Sequence, residues 1–62
     1  MENLLKEYRK EKGLKQKEVA EVIGVTQQAF SLFENGQAIP SLGTALKIAK
    51  FFNLNVEDIF MN

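Results

Sequence analysis

The chain has 62 residues, 45% of them hydrophobic, with no cysteine, no histidine and a formal net charge of zero. That length predicts one domain over residues 1–62, and the missing Cys and His exclude a disulfide framework and a Cys/His metal site. No apolar run approaches the roughly 20 residues of a membrane span, and the opening MENLLKEYRK lacks the apolar core of an export signal, so a cytoplasmic protein with no membrane partner is expected.

The chain order divides at Gly13, Gly24, Gly36 and Pro40. Between these breaks the apolar spacing is helical rather than alternating. Residues 2–12 place Leu4, Leu5 and Tyr8 on one helix face, with Gly13 as a left-handed stop. Residues 16–23 carry Val19, Ala20 and Ile23 and end at Gly24. Residues 27–35 carry Phe30 and Phe33, with Thr26 as N-cap and Gly36 as stop. Ser41 caps a fourth helix whose predicted inner face is Leu42, Ala45, Leu46, Ile48, Ala49 and Phe52, with Asn53 at its end. Asn55 caps a short fifth helix with Glu57 and Asp58 in its first turn, where acids are favoured, and Ile59 facing inward. The expected fold class is all-α, five short helices without a strand.

Charge is unevenly spread. Residues 6–17 hold Lys6, Arg9, Lys10, Lys12, Lys15 and Lys17 against Glu7 and Glu11, a local net of +4. Residues 51–62 hold Glu57 and Asp58 and no base. Such polarity bears on partners more than the neutral total does. By itself a lysine cluster is more often a solvated face than a contact surface. Adjacent Glu57 and Asp58 do not face each other on a helix, and with no His, Cys or Gly-rich phosphate loop the sequence holds no catalytic set. No enzyme activity, cofactor or small-molecule ligand is expected.

The informative unit is Gln16–Gly36. Two short helices flank a tight turn at Gly24, and small Ala20 lets them approach closely. This is a helix-turn-helix, whose second helix can lie in the DNA major groove. That helix begins with Gln27 and Gln28 and carries no Lys or Arg. An amide can make two hydrogen bonds to adenine N6 and N7, and residues at the start of a recognition helix are those that reach base edges.

The fragments YRKEKGLKQKEVAEVIGV, TQQAFSLFENG, IPSLGTALKIAKFF and LNVEDIF, in this order, resemble the small helix-turn-helix regulators of the phage repressor and Cro type over nearly the whole chain. The resemblance implies a compact lambda-repressor-like fold and a sequence-specific transcriptional regulator, a repressor acting as a homodimer on a palindromic operator in double-stranded DNA. Base contacts are expected from Gln27, Gln28 and Thr26, with Leu32 either against a thymine methyl or ordinary surface. Phosphate contacts are expected from Gln16, Lys10, Lys15, Lys17, Asn35 and Gln37. The resemblance further implies a partly buried salt bridge between Arg9 and Glu34 that supports the Asn35–Gln37 loop. Phe51, Phe60 and Met61, as apolar surface near the chain end, are the expected dimer contacts. With no room for an effector-sensing domain, control by protein level or by a partner is expected.

Three positions depart from the pattern. Lys15 stands where a Ser or Thr cap is usual, Gln37 and Ala38 where a base often follows the ENG-type glycine, and Leu32 where a polar or basic residue is common. Missing a cap costs about 0.5–2 kcal/mol. These departures and the zero net charge keep open a second class, a protein–protein module of the same fold, of antitoxin or adaptor type, docking through Leu32.

Overall fold

The structure is a computed structural model and describes residues 2–60. Five helices follow in chain order: α1 (Leu5–Glu11), α2 (Gln16–Ile23), α3 (Gln27–Glu34), α4 (Leu42–Phe52) and α5 (Val56–Ile59). They enclose one core of Leu5, Val19, Ala20, Ile23, Phe30, Phe33, Ile48, Ala49, Phe52 and Ile59. Phe30, Leu5, Ile48, Ile59 and Val19 are fully buried, so every helix contributes at least one side chain removed from water.

The helix starts are fixed by short polar side chains. Thr26 Oγ1 accepts from the Ala29 backbone N–H at 3.0 Å, and Ser41 Oγ accepts from that of Thr44 at 3.2 Å. Lys15 offers no acceptor to α2; instead the Glu18 carboxylate reaches back to the Lys15 N–H at 2.8 Å. That is the second half of a capping box, and it offsets part of the missing cap. Asn55 stands at the N-cap of α5 as expected, but its side chain makes no cap bond; Asp58 Oδ2 takes the Asn55 N–H at 2.9 Å instead.

The turn between α2 and α3 depends on Gly24, whose φ is +85°. Its N–H and that of Val25 both donate to the Ala20 carbonyl, at 2.9 and 3.0 Å, which closes α2 and redirects the chain within three residues. A Cβ at Gly24 would meet nothing within 4 Å, so an alanine there is penalised by backbone strain alone. The left-handed conformation costs an L-residue roughly 1–2 kcal/mol, and the stiffer unfolded chain returns ~0.4–1 kcal/mol. Gly24→Ala is therefore expected to lower the unfolding free energy by about 1 kcal/mol in a urea titration with an unchanged slope. A stabilised variant would contradict the turn geometry.

Two local expectations are corrected. Residues 2–4 do not continue α1. Asn3 forms an antiparallel bridge with Phe60, and the Leu4 N–H donates to the Ile59 carbonyl at 2.8 Å. The Asn3 side chain accepts from the Leu5 N–H at 3.0 Å and donates to the Phe33 carbonyl at 2.8 Å. Residues 3 and 4 are thus tied to residues 59 and 60 and, through the Asn3 side chain, to the last turn of α3. Second, Leu42 and Leu46 do not face the core; they are 74% and 54% exposed. At 100° per residue the apolar arc of α4 is about 160° wide. The other helices cover the side bearing Ala45, Ile48, Ala49 and Phe52, and the four-residue α5 is too short to cover the rest.

Candidate nucleic-acid interface

Gln27 and Gln28 form the first turn of α3, and both side chains are exposed. The Thr26 cap holds this end of the helix open, its own residue exposed beside them. One helical turn on, Leu32 is 42% exposed, whereas Phe30 and Phe33 are turned into the core. The helix is thus divided lengthwise. One face anchors it, and the other presents two amides, a hydroxyl and one aliphatic group. The first-turn N–H groups of α2 and α3 add uncharged donors of the kind that bind phosphate oxygens.

Beneath this surface lies a polar cluster. The Glu34 side chain is only 1% exposed. Arg9 Nε and Nη2 donate to its two oxygens, the latter at 3.3 Å, in a bidentate ion pair. Gln16 Nε2 donates to Glu34 Oε1 at 2.9 Å, and Arg9 Nη1 donates to the Leu14 carbonyl at 2.8 Å. The carboxylate at the end of α3 is therefore held by α1 and by the first residue of α2. A forked guanidinium with two parallel donors fixes orientation as well as charge. The cluster ties the C-terminal end of α3 to α1 and to the start of α2.

Gln16 was expected at a phosphate. Its amide is turned toward Glu34, which leaves one Nε2 hydrogen and the adjacent backbone for an outside acceptor. Lys10, Lys15 and Lys17 are exposed. Lys12 instead sits over the Phe51 ring, 5.7 Å from its centroid. Asn35 and Gln37 are exposed, and the loop they belong to is bonded to α3: the Gln37 and Ala38 N–H groups both donate to the Leu32 carbonyl, at 2.9 and 3.2 Å. The loop is therefore tied by its backbone to α3.

The expected dimer contacts do not form one patch. Phe51 packs edge-on against Phe52 and borders a recess with Val22 and Lys47, whereas Phe60 borders a different one with Ile39 and Leu42. Met61 lies outside the described residues. Sequence reasoning missed Asn3 and Glu18. The glutamate three residues after Lys15 was a readable capping signal; nothing local marks Asn3.

A sequence model of the helix-turn-helix family matches residues 5–59. The chain is 43% identical over 60 residues to the uncharacterised HTH-type transcriptional regulator YgzD of Bacillus subtilis, covering 97% of this chain and 91% of that protein. It is 41% identical over 58 residues to the ImmF control region 10 kDa protein of Bacillus phage phi105, covering 94% of this chain and 64% of the phage protein. Among solved structures it is similar to the SOS-response transcriptional repressor LexA from Eubacterium rectale, with a TM-score of 0.83 and 37% identity over 87% of this chain. The chain spans a little over half of that structure, 57% of its length.

Proposed function

Because this chain belongs to the Cro/C1-type helix-turn-helix family of DNA-binding transcriptional regulators, we propose that it acts as a sequence-specific repressor that places α3 in the major groove and binds an inverted repeat as two copies. The observation that carries this is the exposed Gln27–Gln28 pair on a helix whose opposite face is locked into the core. Each amide reads an adenine by two hydrogen bonds, Thr26 stands beside them, and Leu32 meets a thymine methyl. Lys10, Lys15, Lys17, Gln16 and the Asn35–Gln37 loop hold the backbone on either side. Repression by steric exclusion suits a body only 25 × 21 × 19 Å, and the LexA likeness supports it.

Two half-sites one turn of DNA apart, about 34 Å, bring two such bodies flank to flank. With so few cations, affinity depends mildly on salt. At about 0.9 per neutralised phosphate, three or four ionic contacts predict a log–log slope of roughly −3 per copy. Anisotropy titrations of a labelled duplex across a salt series test this. A slope steeper than about −6 per copy would show that backbone charge, not base reading, dominates. No measurable binding at low salt, with a protein partner that releases on Leu32→Ala, would favour the interaction-module alternative.

A further inference from the structure

An asparagine carboxamide can be attacked by the backbone nitrogen of the residue that follows it. Asn3, Asn53 and Asn55 precede Leu4, Leu54 and Val56, whose branched side chains crowd that attack. Asn35 precedes Gly36, the one Asn–Gly step in the sequence, where no side chain is in the way. Asn35 is exposed at the C-cap of α3, so water reaches its carboxamide. Gly36 has a φ of +72°, the left-handed conformation that glycine adopts without strain. The turn that closes α3 thus sets a glycine directly after an exposed asparagine.

We propose that Asn35 is a site of spontaneous modification, converting to aspartate and isoaspartate, and that the carboxylate so formed weakens DNA binding. The Gly36 nitrogen, on giving its proton to solvent, forms a bond to Asn35 Cγ. The Cγ–Nδ2 bond breaks, and Nδ2 takes up a proton and leaves as ammonia. The product is a cyclic imide spanning the two residues. Water then opens it. Attack at Cγ gives an aspartate at position 35, and attack at the main-chain carbonyl carbon gives an isoaspartate, with the chain rerouted through Cγ. Either way one water is consumed, one ammonia is released and an amide becomes a carboxylate.

The fold holds this step back at two points. With Asn35 at a ψ of −2°, the Gly36 nitrogen eclipses the Asn35 nitrogen and stands away from Cγ. The Gly36 N–H also donates to the Phe33 carbonyl at 3.1 Å. Both are undone when the last turn of α3 opens, and a helix end opens at far less cost than the whole domain. That turn is pinned one residue earlier, by Glu34 in its ion pair with Arg9. Conversion is therefore slow in the folded chain, and its rate follows the opening of this turn.

The effect on binding rests on the DNA reading above, in which the Asn35–Gln37 loop holds phosphates; the chemistry does not. A carboxylate in that loop repels phosphate, and at the C-terminal end of α3 it has the unfavourable sign for the helix dipole. Aged copies therefore lose affinity.

Storage of the purified chain at mildly alkaline pH, followed by intact mass, peptide mapping and methylation by an isoaspartyl methyltransferase, tests the chemistry. The expected result is the mass gain of an amide-to-acid exchange, mapped to position 35 and absent from Asn3, Asn53 and Asn55. The rate is expected to rise at least about tenfold in a denaturing concentration of urea. No conversion at position 35 after a synthetic peptide of residues 32–38 has fully converted, earlier conversion at another asparagine, or a rate indifferent to urea overturns the proposal. Anisotropy on a labelled duplex tests the consequence by comparing Asn35→Asp with Asn35→Ala. Both lack the amide, and only the first adds the charge. Asn35→Asp is expected to bind about five- to tenfold more weakly per copy than Asn35→Ala, with the gap narrowing as salt rises. Equal affinities overturn the consequence. A chain that binds no DNA defeats the functional reading itself, which shows with wild type alone, whereas the mass readout contains no DNA and stands or falls separately.

Discussion

Arg9→Ala is expected to remove about 3–5 kcal/mol of stability, because it leaves the Glu34 carboxylate buried without its main counter-charge. At ~0.05–0.15 kcal/mol per residue, a chain of this length has only about 3–9 kcal/mol in total. The variant is therefore expected to lose a large share of that stability, seen as a lower urea midpoint and a lower melting temperature by circular dichroism. Removing both charges is a different matter. Arg9→Met with Glu34→Leu exchanges a desolvated pair for apolar packing and is expected to recover most of the loss. The recovered protein should still bind DNA more weakly than wild type. Gln16 loses the acceptor that orients it, and α3 loses the fork that ties its end to α1. A single Arg9→Ala variant within 1 kcal/mol of wild type would show that the Gln16 amide suffices to hold Glu34 without the ion pair.

Gln27→Ala and Gln28→Ala act in the opposite way. Both side chains are exposed, so folding stability is expected to change by less than about 0.5 kcal/mol. Each loses a bidentate contact, roughly 1–3 kcal/mol of discrimination at one base pair in each half-site. The signature is relaxed preference at that base pair alone, with an unchanged salt slope, since no phosphate contact is lost. Substituting Lys17 should do the reverse, weakening binding to all sequences alike and flattening the slope. If Gln27→Ala weakens all sequences equally, the amide is a backbone contact and not a reader.

The helix-turn-helix was legible because its determinants are local. Gly24 at a left-handed turn, Thr26 at a cap and the i, i+1, i+4 spacing of Val19, Ala20 and Ile23 each act within one helical turn, and the structure places them as that spacing requires. The exposure of Gln27 and Gln28 followed from Phe30 and Phe33 taking the inner face. What the chain does at longer range was not legible. Periodicity assigns Leu42 and Leu46 to the same apolar arc as Ile48, and only the arrangement of neighbouring helices decides which part of a wide arc is covered. Asn3 belongs to no periodic pattern, and its partner Phe33 lies 30 residues away. The same limit applies to Phe51 and Phe60, which the sequence joins as apolar surface and the fold separates onto two recesses. Lys15 shows a subtler case, in which a missing cap residue is replaced from within the helix by Glu18.

The exposed amides of Gln27 and Gln28 on α3 are proposed to read bases. Selection of bound sequences from a random duplex pool by the purified protein tests it most directly. The expected result is an inverted repeat with adenines at the positions facing Gln27 and Gln28, its half-sites centred one helical turn apart. A pool that stays random after selection at moderate salt would contradict it and leave the helix-turn-helix as a scaffold for some other contact.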